Sequence, residues 1–123
     1  MFNVRGELRK DEFKFELLER TRHINDRLWR LKKGMDLDNV GKRNVYKIFV
    51  VDRGDERGLE IHLLCHNATV IVVSYDSYKL ITILNEGVSR LKKRYGEFRL
   101  PKHIFECATR NSNKNKNKFK KDL

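Results

Sequence analysis

The chain has 123 residues, enough for one domain and too few for two separate cores. Its 28 Lys and Arg against 17 Asp and Glu give a net charge of +11, which draws it toward nucleic acid, an anionic membrane surface or an acidic protein. No apolar run approaches the roughly 20 residues that cross a bilayer. Met1–Lys10 lacks the apolar core of a secretory signal, and Cys65 and Cys107, without CxxC spacing, suit free thiols in a reducing, cytoplasmic compartment.

Phe13, Leu17, Ile24, Leu28 and Leu31 recur at intervals of three, four and seven, which predicts a helix, or two, over Asp11–Lys33, ended by Gly34. Asp36–Arg43 is a polar connector broken at Gly41. The period then changes. Val45–Asp52, Leu59–His66, Thr69–Tyr75 and Tyr78–Asn85 are rich in Val, Ile, Leu and Tyr and are predicted strands. Their short separators imply an antiparallel meander, since a parallel crossover needs a dozen or more residues. Val88–Tyr95 is predicted as a short helix with Val88, Leu91 and Tyr95 on one side. Leu100-Pro101 is a break, and Ile104-Phe105 is a last apolar contact.

Residues 110–123 alternate Asn and Lys and are expected to be a disordered basic tail. The tail holds six positive charges and one negative, so +6 of the net charge belongs to residues 1–109. The expected fold class is α+β. An N-terminal helix (or two) packs on a four-stranded antiparallel meander sheet, and a short C-terminal helix follows. Residues 1–109 form the single domain.

Three groups of side chains stand out. Arg20, His23, Arg27 and Arg30 are spaced three, four and three apart, a helix stripe suited to gripping phosphate oxygens beside an imidazole that exchanges protons near neutral pH. The same stripe is also the ordinary solvated face of an amphipathic helix. On the second predicted strand, alternation puts Glu60 and His62 side by side on one face, where a carboxylate orients an imidazole for acid–base work. The plainer alternative is an exposed polar patch, to which Lys79 and Thr82 add a cation and a hydroxyl. Arg90, Lys92, Lys93 and Arg94 with Tyr95 form a basic helix with an aromatic tip, suited to phosphate contacts and base stacking unless Tyr95 packs inward. His62 and His66 would chelate a metal on a helix, but their segment is a predicted strand. No Gly-rich phosphate loop or nucleophile elbow is present, so neither metal nor cofactor is expected.

A basic N-terminal helix ahead of a four-stranded meander resembles the barnase, EndoU, colicin D and RelE-like ribonuclease superfamily. Gly58-Leu59-Glu60-Ile61-His62, the hairpin at Asn67, Lys79-Leu80-Ile81-Thr82-Ile83-Leu84 and Leu91-Lys92-Lys93-Arg94-Tyr95 resemble its small phage- and prophage-encoded members. Ala68 departs from the glycine expected after Asn67. The resemblance implies metal-free transesterification of RNA, with His23 and His62 as acid–base partners, Glu60 orienting His62, and Arg27, Lys79 and Thr82 holding phosphate. The function expected is therefore a toxin-like or phage-encoded endoribonuclease. The alternatives are a non-catalytic nucleic-acid-binding protein, or a phage or host interaction protein gripping an acidic partner. RNA is the expected partner, with an acidic inhibitor or antitoxin as a second. No membrane association is expected, and the oligomeric state is left open.

Overall fold

The computed structural model describes residues 3–30, 43–54, 56–96 and 100–110, with the backbone alone for residues 23 and 26–28. The strands are β1 (Asn3–Leu8), β2 (Glu19–Arg20), β3 (Val45–Asp52), β4 (Leu59–Cys65), β5 (Thr69–Ser74) and β6 (Lys79–Asn85). They form one sheet in the spatial order β1-β3-β4-β5-β6-β2. Neighbours are antiparallel except β2, which runs parallel to β6. Two helices follow the sheet, α1 (Val88–Tyr95) and α2 (residues 102–110). None among the described residues is long and apolar enough to cross a membrane.

This corrects the expected fold class. Among the described residues the sheet has six strands and is mixed, both helices come after the strands, and no N-terminal α-helix packs on it. Phe13 to Arg30 instead form a 3₁₀ turn at Phe15–Leu17, the short strand β2 and a 3₁₀ segment at Arg22–Arg30. Tertiary contacts override the helical period here. The Phe13 ring packs against Phe15 and Tyr78 at centroid distances of 4.8 and 5.1 Å. Glu19 donates its N–H to Tyr78 O (3.0 Å), and the Thr21 hydroxyl bonds Leu80 O, so β6 captures the chain as an edge strand. Leu17, counted as a core position of the helix, is 52% exposed. The predicted helix end at Lys32 to Gly34, the connector before Arg43 and the tail after Arg110 lie outside the described residues.

The four central strands fall where alternation placed them, because β-branched and aromatic side chains suit a pleated, packed surface. What alternation did not show is that both faces are covered. Ile48, Ile61, Leu63, Cys65, Ile71, Val73, Leu80 and Ile83 bury against Phe13, Ile24 and neighbouring residues of the N-terminal segment. The opposite face, with Phe49, Val51, Leu64, Val70 and Val72, buries against Leu91 and Tyr95 of α1 and Ile104 and Ala108 of α2. Full burial of each such aliphatic side chain contributes roughly 1.5–3 kcal/mol.

The hairpins use specific turn chemistry. Between β3 and β4, Gly54 (φ +97°) and Gly58 (φ +69°) take the left-handed conformation that L side chains resist. Asp52 Oδ1 accepts the Gly54 N–H at 2.9 Å. Between β4 and β5, Ala68 itself stands at φ +70°, with Asn67 Oδ1 bonding the Thr69 N–H at 3.0 Å. After β6, α1 starts at Gly87 and ends at Gly96 (φ +91°), whose N–H bonds Lys92 O. The cations Lys92, Lys93 and Arg94 crowd its last turn, where they complement the helix dipole. Pro101 opens α2 by accepting the Ile104 N–H (3.1 Å). The predicted break at Leu100-Pro101 is thus a helix start, as proline's fixed φ favours.

Candidate functional site

Strand pairing aligns Phe49, His62, Val72 and Thr82 in one row across β3, β4, β5 and β6. His62 therefore points to the face that α1 covers, and it is fully buried. Its Nε2 lies 3.0 Å from Glu60 Oε1, and its Nδ1 lies 2.8 Å from the Tyr95 hydroxyl. A carboxylate accepts only from N–H, so Nε2 carries the proton and Nδ1 accepts the Tyr95 O–H. This is the neutral tautomer. Burial lowers the His62 pKa, and the Arg53 and Arg94 charges lower it further, against the upward pull of Glu60. Burial likewise pushes the Tyr95 hydroxyl up.

The network extends outward from there. Arg53 Nη1 is 3.8 Å from Glu60, Arg94 Nη1 is 2.9 Å from Glu86 Oε1, and Arg90 reaches the other Glu86 oxygen at 3.8 Å. Tyr95 stacks on Phe49 with ring centroids 4.8 Å apart. Arg94 and Tyr95 thus turn inward and tie α1 to the sheet. Lys92 and Lys93 stay exposed on its outer side, with Lys92 Nζ 5.4 Å from the Phe105 ring of α2.

Glu60 and His62 are brought together as their spacing implied. Thr82 lies in the same row, two strands away, roughly 10 Å at the usual strand spacing. The 3₁₀ segment that carries His23 packs through Ile24 onto the opposite face of the sheet. The side chains of His23 and Arg27 lie outside the described residues. Arg20 is exposed on the edge strand β2 and Lys79 on its neighbour β6, where Arg20 pairs with Leu80. Arg30 binds Ile83 O through Nη1 (2.8 Å) and stands 5.2 Å over the Trp29 ring.

Several features escaped sequence reasoning. The inward use of Arg94 and Glu86 has no pattern in one sequence. Trp29 is 66% exposed beside Arg30, and a lone tryptophan amid arginines was a visible cue. At the far end of β4, His66 Nδ1 and His103 Nε2 are 3.0 Å apart, with Tyr46 edge-on to both rings. Burial, His103 and Lys10 lower the His66 pKa. No group of three or more metal-ligating side chains occurs among the described residues. A cleft of about 430 Å³ opens by the β3–β4 hairpin, but its lining charges, Arg5 and Asp52, neutralise each other at 2.7 Å.

The arrangement divides the molecule by role: a closed acid–imidazole–phenol lock inside, and cations on α1, α2 and the β2–β6 edge outside. Comparison with known protein families, curated proteins and solved structures finds no match to this chain.

Proposed function

We propose that the chain is a non-catalytic nucleic-acid-binding protein with RNA as its partner, working in the cytoplasm, where its free thiols Cys65 and Cys107 suit the reducing conditions. One observation carries this reading. Among the described residues of the two helices and their flanks, 88–96 and 100–110, six are Lys or Arg and Glu106 is the one acid. Five of the six cations, Arg90, Lys92, Lys93, Lys102 and Arg110, are exposed, and Arg94 alone turns inward. Such a layer matches a phosphate backbone, whose binding is driven by release of condensed counterions.

The geometry weighs against cleavage. Acid–base transesterification needs both partners within hydrogen-bond reach of one phosphate. His62 has no exposed surface, and the element bearing His23 lies on the other side of the sheet.

The test is binding of labelled RNA by fluorescence anisotropy across a salt series. Affinity should fall log-linearly with salt. Replacing Lys92 and Lys93 by Gln should flatten the slope by about 1.4, since each phosphate contact to a single strand contributes about 0.7. A salt-independent affinity, or none, refutes the reading. RNA fragments ending in 2′,3′-cyclic phosphate, formed in EDTA and lost in His62→Ala, would make the protein a ribonuclease instead.

A further inference from the structure

The geometry points to a second RNA contact, separate from the helical layer: a single-strand track along the outer edge of β6, with Trp29 as the platform on which a base stacks. It rests on the nucleic-acid reading above and names the form of RNA bound and the side chains that hold it.

The track is built from both ends of β6. At its start, β2 lies alongside for two residues only, Glu19 beside Lys79 and Arg20 beside Leu80. From Ile81 to Asn85, no strand flanks the outer edge among the described residues. Lys79 and Arg20 are exposed there, with Glu19 as the acid among them, and Arg22 follows, also exposed. At the far end, Arg30 crosses to Ile83 O at 2.8 Å, and its backbone oxygen accepts from Asn85 Nδ2 at 2.8 Å. These two bonds fix residue 30 against the strand, and the Trp29 ring stands next to it under the guanidinium, 5.2 Å away.

The middle of the edge is apolar and in part open. Ile81 sits at the register shift between Val72 and Val73 and is 37% exposed. The edge thus runs cation, aliphatic, then aromatic with cation, over roughly 20 Å for seven residues at the usual strand rise.

Each part has a use for a single strand and little for a duplex. An indole face stacks any unpaired base, while bases within a duplex keep their faces covered. A guanidinium over the ring adds a cation where the adjoining phosphate lies. Arg20, Arg22 and Lys79 take phosphates at the other end. Leu80 O and Ile83 O of this edge are taken by Thr21 and Arg30, and at Ile81 between them a ribose 2′-hydroxyl, itself donor and acceptor, can meet the peptide edge where deoxyribose cannot. A core role does not account for Trp29, a residue 66% exposed while Phe13 and Ile24 of the same N-terminal region are buried.

Trp29 is the only tryptophan, so its emission reports this site alone. The full chain is titrated with unlabelled oligouridylate while Trp29 emission is followed, and anisotropy of a labelled strand is measured in parallel. Saturable quenching at the anisotropy midpoint is expected. Trp29→Ala should weaken binding about tenfold, and Trp29→Phe should retain most of it. Replacing Lys92 and Lys93 by Gln should shift the midpoint but leave the quenching at saturation unchanged. Circular dichroism of Trp29→Ala should match the parent, since the ring is on the surface. Anisotropy binding without quenching, and unchanged in Trp29→Ala, overturns the track and leaves the helical layer standing. Absence of binding by either readout overturns the nucleic-acid reading itself. Equal quenching by duplex RNA, or by oligodeoxythymidylate, overturns the assignment to single-stranded RNA.

Discussion

Tyr95→Phe removes a single oxygen and isolates what the buried lock contributes to the fold. Tyr95 is 3% exposed and His62 fully buried, so the hydroxyl that serves Nδ1 has no ready substitute from solvent. The stacking of ring 95 on Phe49, at 4.8 Å and 21°, survives the change, as does the packing of α1 through Leu91. The loss is then the buried hydrogen bond to a neutral imidazole together with the Arg94 contact to the same oxygen, about 1–3 kcal/mol. For a chain of this size that lowers Tm by roughly 3–6 °C per kcal/mol. Urea unfolding followed by circular dichroism measures it, with the m-value unchanged because the exposed area is the same. Glu60→Gln, combined with Tyr95→Phe in a double-mutant cycle, should be non-additive, since both partners hold one ring. RNA affinity of Tyr95→Phe should fall no further than its stability does. A stability loss below about 0.5 kcal/mol, within the scatter of ordinary surface substitutions, would refute the lock. Lost RNA binding with an intact fold would return Tyr95 to base stacking.

The remaining predictions concern titration, strain and thiol chemistry. His62 and His66 both have folded-state pKa values lowered from 6.5, mainly by burial. The unfolded chain therefore binds more protons below that value, so stability is level above about pH 6.5 and falls as pH drops through 6 toward 5. Urea midpoints at pH 7.5 and 5.0 check this, and a midpoint that rises on acidification contradicts it. Ala68→Gly relieves a left-handed alanine, worth about 1–2 kcal/mol. It also deletes a buried methyl worth about 0.8 kcal/mol and loosens the unfolded chain. The net change in urea stability should stay within about 1 kcal/mol, and a larger loss would mean the methyl's packing dominates. Burial pushes the Cys65 thiol up to about 12, while Cys107 is only half-buried. One thiol should react with a disulfide reagent in the native protein and two in denaturant, and two fast thiols in the native state would contradict the packing of β4.

Legibility in the sequence followed the physical origin of each element. The strands from Val45 to Asn85 and the helix Val88–Tyr95 were readable because local pattern and tertiary demand agree there. β1 carried the same signal: Asn3, Arg5 and Glu7 alternate with Val4, Gly6 and Leu8, and its burial alternates with them. The N-terminal helix failed for a deeper reason. Phe13, Ile24 and Leu28 satisfy a helical period, but an irregular chain lying along β6 can bury two aromatics and an isoleucine as well, and neighbouring strands decide between them. α2 was missed because Ile104 and Ala108, one turn apart, were too few to register as a period. Missing it left one face of the sheet looking open. The Glu60–His62 pairing was legible for the simplest reason: residues two apart on a strand share a face. Whether that face met solvent was not, since its cover comes from residues 88–110.

That cover is what turns a candidate catalytic pair into a structural one. An imidazole held by a carboxylate has the right chemistry for proton transfer, but transfer to a substrate requires approach, and here phenol and helix occupy the approach path. The same closure sets where binding can occur. With both faces of the sheet largely covered, a ligand meets, among the described residues, chiefly helix exteriors, turns and strand edges. Exposed cations gather on two of these, α1 with α2 and the β2–β6 border, while Arg5, Arg9, Lys14, Arg43 and Arg57 are scattered elsewhere, and the exposed aromatic Trp29 lies by the second. Arg90, Lys92 and Lys93 come from the same eight-residue helix whose Leu91, Arg94 and Tyr95 hold the interior. A substitution that loosens the lock should therefore also blur the outer cation array, lowering RNA affinity without touching a phosphate contact. His62→Ala tests this separation: it should lower affinity only to the extent that it lowers stability, and a loss of binding in a variant as stable as the parent would place His62 in contact with RNA after all.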